Sequence, residues 1–254
     1  MTASTDNPPL RAILFDLGDT LLDFGPISHD EMFRLGAKEA YEYLLELGHR
    51  LPSWRRYHWR HWLAIRWHVI LAVLQRREFH SLPVLVRCCK RLGIELSPEE
   101  QLELCWRFYL PLRNIATVEP GLADMLVDLQ ARGLTISIVS NTFVPGEILD
   151  RHLREEGLLE HLPLRVYSCD VGYRKPHIEI YRRALETVGT KPEETMFIGD
   201  TPKADVIGPG KLGMITVLKD PTTQRKGRQH ADYCLTKIMD LPTILEHYQL
   251  GGAD

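Results

Sequence analysis

A chain of 254 residues with 44% apolar and 26% charged residues is long enough to bury a core without disulfides or structural metals. Its net charge of −3 excludes a global field that would recruit nucleic acid or an acidic membrane. No apolar run reaches the roughly 18 residues that a spanning helix needs, and the 5 scattered cysteines, none in a CxxC pair, fit the reduced thiols of a cytoplasmic protein.

Residues 1–9 are polar, carry Pro8-Pro9, and lack the basic start and apolar centre of a signal peptide, so they read as a loose tail. Residues 10–16 predict a first strand, after which Gly18, Gly25 and Pro26 interrupt regular structure. From 28 to 117 there is almost no strand pattern. Helices are predicted over 30–48, 54–77 and 81–92, and Ser97-Pro98-Glu99-Glu100 opens another that runs to about Leu110. In the second of these, Trp59, Leu63, Trp67, Ile70 and Leu74 form one apolar stripe. That stripe predicts an amphipathic helix with tryptophans in its core and the basic residues of Trp54–Trp62 outside. His58, His61 and His68 share helical spacing but have no cysteine or carboxylate alongside, so they read as surface histidines. Residues 25–117 are therefore an all-helical insertion between two parts, 10–24 and 118–254, of one α/β unit.

After Pro120-Gly121, helix and strand alternate. Helices are predicted at 122–132, 147–156, 178–188, 203–212 and 239–249, and strands at 134–140, 164–168, 196–198, 215–218 and 233–235. Short connections between them imply a doubly wound parallel sheet. Gly208-Pro209-Gly210-Lys211-Leu212-Gly213 matches a dinucleotide fingerprint by pattern, but it does not follow a strand and open a helix. Cys88 and Cys89 are adjacent, and one of them is expected in the core.

Polar residues cluster at strand ends: Asp16 after the first, Ser140-Asn141 after the second, Arg174-Lys175-Pro176 after the third, and Gly199-Asp200 with Asp205 after the fourth. The carboxyl ends of a doubly wound sheet share one edge, so these groups converge. Gathered carboxylates repel unless a hard cation joins them, which suits Mg²⁺. A carboxylate nucleophile, a divalent metal and a lysine together suit phosphoryl transfer.

The order and spacing of four segments resemble the haloacid dehalogenase (HAD) superfamily. They are Phe15-Asp16-Leu17-Gly18-Asp19-Thr20-Leu21, Ile138-Val139-Ser140-Asn141, Gly172-Tyr173-Arg174-Lys175-Pro176, and Phe197 through Asp205. The resemblance implies a Rossmann-like core with a helical cap inserted after the first segment. It also implies Asp16 as nucleophile, Ser140, Asn141 and Lys175 as phosphate-binding groups, and Mg²⁺ held by Asp16, the Gly18 carbonyl and Asp200, with Asp205 a further ligand or support. Phosphatases of the family carry a second Asp two residues after the nucleophile, as general acid and base. Here that position is Gly18, and Asp19 is the candidate to replace it.

The resulting expectation is a Mg²⁺-dependent phosphatase for a small phosphorylated metabolite, monomeric or homodimeric, with no nucleic-acid or membrane partner. The alternatives are a catalytically weak metal- and phosphate-binding regulator, or a phosphonatase- or dehalogenase-like hydrolase. A phosphonatase would need Lys38 or Lys90 as a cap lysine.

Overall fold

The computed structural model of the chain describes residues 8–26, 28–75 and 77–251. Its strands are β1 (Ala12–Phe15), β2 (Thr135–Ser140), β3 (Leu164–Tyr167), β4 (Thr195–Gly199), β5 (Ile215–Lys219) and β6 (Tyr233–Leu235). They form one parallel sheet in the order β3-β2-β1-β4-β5-β6. The order reverses between β1 and β4, and the crevice beyond the carboxyl ends at such a switch point is where α/β sheets bind ligands.

β1 is a continuous apolar run because both of its faces are covered. Ile13 and Phe15 enter the larger core, and Ala12 and Leu14 enter a smaller one beneath α8 (Ile178–Val188). The remaining core helices are α5 (Leu122–Ala131), α6 (Gly146–Glu155), the short α7 (Ser168–Val171) and α9 (Gly208–Gly210), and α10 (Leu241–Leu245).

Between β1 and β2 lie α1 (His29–Glu46), α2 (Trp54–Gln75), α3 (Ser81–Lys90) and α4 (Pro98–Ile115). The chain leaves and returns through Asp23 and Thr117, whose backbones exchange two hydrogen bonds of 2.8 Å. α1 and α4 pack so closely that a Cβ on Gly36 would stand 2.1 Å from the Phe108 carbonyl oxygen. α4 starts on a reciprocal cap: the Ser97 hydroxyl accepts from the Glu100 N–H, and the Glu100 carboxylate accepts from the Ser97 N–H. The helices are seated on the sheet by polar contacts. Tyr109 Oη lies 2.9 Å from His152 Nδ1, Arg113 pairs with Glu155 at 2.7 Å, and Arg151 pairs with Glu103 at 2.8 Å.

Five expectations are corrected. First, the α2 stripe is outside, not inside. The buried line is Tyr57, His61 and Ile65, on the opposite side of the helix. Tyr57 packs against Tyr41 and stacks on His61, so the tertiary neighbours chose the face with the aromatic–imidazole ladder. Second, His61 is therefore buried, with its Nδ1 on the Tyr57 carbonyl at 2.9 Å, and Cys88 and Cys89 are both buried. Third, α4 runs on to Ile115 through Pro111, because Tyr109 and Leu112 keep that turn packed on the core. Fourth, 203–212 is not one helix. It is a wide π-type turn, Pro202–Ile207, followed by α9, and Gly208 there lets Tyr181 approach. The final helix is likewise only α10. No helix among the described residues is long and apolar enough to cross a membrane.

Candidate functional site

β1 and β4 run in register, Phe15 beside Ile198, so the residues that follow them emerge side by side at the switch point. The Asp16 N–H donates to the Ile198 carbonyl at 2.8 Å, fixing Asp16 at that edge. Asp200 follows β4 directly. The wide turn after it swings Asp205 back against Gly199, where a Cβ would lie 2.4 Å from the Asp205 carboxyl carbon. Glycine at 199 is thus what admits Asp205 to the site.

Oxygens of Asp16, Asp200 and Asp205 lie within 4.8 Å of one another. Lys175 Nζ donates to Asp16 Oδ1 and to Asp205 Oδ1, each at 2.7 Å, and the lysine is buried. Burial pushes the Asp16 carboxyl well above its ordinary pKa, more than Lys175 can offset, and Asp205 and Asp200 push it further. Asp205 moves the same way for the same first reason. Burial disfavours the Lys175 cation, but its two carboxylate partners outweigh that and hold its pKa above the usual lysine value. Lys175 and a guanidinium on Asp200, that of Arg225, bring two positive charges to three carboxylates, and a cluster of hard oxygens short of positive charge is a donor set that fits a divalent cation such as Mg²⁺.

The predicted residues take distinct places. Ser140 ends β2 at the same edge, and its hydroxyl makes no hydrogen bond to a described residue. The side chain of Asn141 meets the backbone of Lys175. Its Oδ1 accepts from the Lys175 N–H at 2.7 Å and its Nδ2 donates to the Lys175 carbonyl at 3.0 Å, a clamp that aims the lysine. Both Asp205 oxygens are also occupied, one by Lys175 and the other by the Thr201 N–H at 2.8 Å. Asp19 sits in the left-handed region at φ 54°, and its Oδ1 accepts from the Phe24 N–H at 3.1 Å, bracing the turn. Burial raises its pKa, the Phe24 N–H opposes this, and nearby Asp200 adds to the rise. The Gly18 carbonyl accepts no hydrogen bond from the described residues, and a Cβ there would meet only the Phe24 ring, at 3.4 Å.

Two further groups at this edge escaped the sequence reading. Arg225 reaches from the loop after β5 to Asp200, contacting its carboxylate at 2.6 Å and also its carbonyl. Nothing in that polar loop singles it out. Lys219, the last residue of β5, donates to the Thr20 carbonyl at 2.8 Å and pairs with Glu119 at 3.2 Å, tying the turn after Asp16 to the return strand of the insertion. The rule applied to the other strand ends would have found it. Neither Lys38, paired with Glu42 at 3.5 Å, nor Lys90 is turned inward; both are exposed.

A cavity of about 420 Å³ lies between α1, α2, α4 and the loops that carry Phe143 and Arg174. Phe33, Trp62, Phe108 and Phe143 wall it, and Asp30, Arg66 and Arg174, the last next in sequence to Lys175, are its charged lining.

Comparisons with known proteins agree with this geometry. The profile of the haloacid dehalogenase-like hydrolases matches residues 10–213. The chain is 25% identical to a glyceraldehyde 3-phosphate phosphatase of Pyrococcus furiosus over 93% of each chain. It is 29% identical to a phosphoserine phosphatase of Thermus thermophilus, over 83% of this chain and 89% of that one. Among solved structures, a 2-haloacid dehalogenase of Pseudomonas syringae superposes with a TM-score of 0.63 at 19% identity, covering 93% of this chain and 98% of that one. A sheet that carries its acids and its lysine at one switch point, together with a family profile covering most of its length, makes this chain a member of the haloacid dehalogenase-like hydrolases.

Proposed function

We propose that the chain is a Mg²⁺-dependent phosphatase acting on a small phosphorylated metabolite. The observation that carries this reading is the buried cluster of Asp16, Asp200 and Asp205 around Lys175. Charge is buried at such cost only where it is compensated or used. A halide leaving group needs neither the metal nor the extra carboxylates, so the cluster favours phosphoryl transfer. The relatives named as phosphatases support the same choice. The exposed positions of Lys38 and Lys90 count against phosphonatase chemistry.

In this reading Asp16 attacks phosphorus through one carboxylate oxygen and forms an aspartyl-phosphate, which water then hydrolyses. Lys175 and the Ser140 hydroxyl hold the non-bridging oxygens, with Asn141 setting the direction of the lysine. Asp16, Asp200 and the Gly18 carbonyl would hold Mg²⁺, which when bound would supply charge neutralisation for the phosphate, and Asp205 supports the set through Lys175 and the Thr201 N–H. The helices from 25 to 117 act as a cap that keeps bulk water out. A cytoplasmic setting goes with the free state of all the cysteines.

Gly18 shapes the substrate range. With no carboxyl there to protonate the leaving oxygen, the site favours leaving groups that depart as stable anions. The aromatic walls of the cavity that reaches Arg174 favour an apolar body on the substrate. Aryl and acyl phosphates are therefore expected to turn over faster than alkyl phosphates.

The test is turnover of an activated aryl phosphate with Mg²⁺ and with chelator, for the natural chain and for Asp16→Asn. Loss of roughly 10⁴-fold or more in the variant is expected. Turnover that survives Asp16→Asn would overturn the nucleophile.

A further inference from the structure

Among the described residues, two groups of side chains bring metal-ligating atoms together: the carboxylates around Lys175, and a second group of His80, Cys169 and Asp170. In the second group one ring nitrogen of His80, the Cys169 sulfur and one Asp170 carboxylate oxygen lie within 4.8 Å of one another. The three come from different parts of the chain. His80 closes the linker from α2 to α3, and Cys169 and Asp170 lie in α7, after β3.

We propose that His80, Cys169 and Asp170 form a metal site separate from the sheet-edge cluster, which takes a four-coordinate divalent ion of the zinc class and joins the helices between β1 and β2 to the sheet. The donor set selects the class of ion. Thiolate and imidazole suit zinc and its borderline neighbours, whereas Mg²⁺ takes oxygen. Charge fits as well, because a thiolate and a carboxylate together balance one divalent ion and a neutral imidazole adds nothing. The thiol proton passes to solvent as the sulfur–metal bond forms. Ligand atoms of a tetrahedral zinc stand about 3.5 Å apart, within the 4.8 Å limit that these three keep. With three protein ligands, the fourth position falls to water.

Two observations on His80 point the same way. It is the N-cap of α3, where Ser, Thr, Asp or Asn ordinarily closes the first turn, yet its side chain makes no cap hydrogen bond. Its Nδ1 is buried without a hydrogen-bond partner among the described residues, a costly state for a polar atom. The helix therefore does not explain the imidazole. Its neighbours in sequence hold it in place: the Ser81 N–H donates to the Phe143 carbonyl at 2.8 Å, Phe79 stacks on Phe143, and the Glu78 carboxylate accepts from the Ser168 hydroxyl at 3.0 Å. Across the seam, the Cys169 sulfur lies 3.3 Å from the Val144 carbonyl. The Asp170 carboxylate has the Cys169 thiol, at 3.5 Å, as its hydrogen-bond partner among the described residues. The ligands thus stand near their places before an ion arrives, which lowers the ordering cost of binding.

Titration of the full chain with Co²⁺, in excess Mg²⁺, tests this. Mg²⁺ competes for the oxygen ligands around Lys175 and leaves sulfur alone. Cobalt bound by a thiolate gives a charge-transfer band in the near ultraviolet, and tetrahedral coordination gives intense visible bands. One equivalent is expected to bind with both signatures, and Zn²⁺ to displace it. Cys169→Ser is expected to abolish the charge-transfer band, and His80→Ala and Asp170→Asn each to weaken binding by roughly 10-fold or more. Asp200→Asn is expected to keep both signatures. A natural chain without the charge-transfer band overturns the proposal, and so does a band that survives Cys169→Ser. A band that keeps its affinity in both His80→Ala and Asp170→Asn marks a lone thiol and overturns it too, as does loss of the band in Asp200→Asn, which places the ion at the sheet edge. The spectrum of the natural chain is decisive without the variants, so one that fails to fold leaves the test intact. None of these outcomes bears on the phosphatase assay.

Discussion

At the carboxyl edge of the sheet, charged groups are buried; on the outer face of α2, large apolar groups are in water. Each reverses the usual partition of side chains. The two reversals differ in where their compensation lies. Most of the compensation at the edge lies within the chain: Lys175 lies between Asp16 and Asp205, Arg225 meets Asp200, and the Thr201 N–H meets Asp205. The α2 face has no such balance inside the chain. Buried charge with internal partners marks chemistry, whereas the exposed apolar side chains of α2 are left in water by the fold.

The comparison breaks most sharply at Lys175. Lys175→Met leaves Asp16 and Asp205 facing each other without their shared cation. Turnover is expected to fall roughly 10³-fold, and metal-free stability by about 3–5 kcal/mol in urea unfolding. An unchanged unfolding midpoint would mean that the carboxylates are not balanced internally.

Two neighbours on α2 sharpen the other half. Ile65→Ala is expected to cost about 3 kcal/mol, because Ile65 is buried, whereas Leu63→Ala should stay within about 0.5 kcal/mol. Equal costs would contradict the assignment of inner and outer faces.

Gly18→Asp probes the gap at the edge. There is room for the side chain beside Phe24, and a restored acid is expected to raise turnover of alkyl phosphates roughly 10²-fold while changing aryl phosphates little. An equal change on both classes would show that the leaving group is already protonated by another residue.

The smallest effect concerns the seat of the helices on the sheet. Burial lowers the His152 pKa from 6.5 to about 4, with Arg113 adding to the shift and Glu155 opposing it. The unfolded chain therefore takes up a proton between pH 6.5 and 4 that the folded chain refuses. Stability falls as pH drops through that window, by roughly 3 kcal/mol for this buried imidazole. His152→Gln, which keeps a partner for Tyr109, should flatten that part of the pH–stability curve. A curve as steep as the natural one would assign the loss to other groups.

Much of the sheet edge was legible beforehand because strand ends and turn residues are local signals. The apolar run before Asp16 and the glycine before Asp200 each declare themselves within a few positions. What stayed hidden there depends on distant segments. Asn141 was read as a phosphate ligand, and its two contacts with the backbone of Lys175 come only with the fold. Arg225 comes from a polar loop without a motif, 25 residues beyond the aspartate it meets.

Sequence alone determined that this chain is an alternating α/β unit with a helical insertion, and which residues end the strands, because hydrophobic period and turn chemistry act over short range. It also determined that α2 has an apolar stripe. Only the tertiary structure decided which way that stripe faces. Periodicity measures the contrast between two sides of a helix, not what packs against either side. On α2 both sides were candidates for burial, and the ladder of Tyr57, His61 and Ile65 found partners inside the chain while the tryptophans were left facing out.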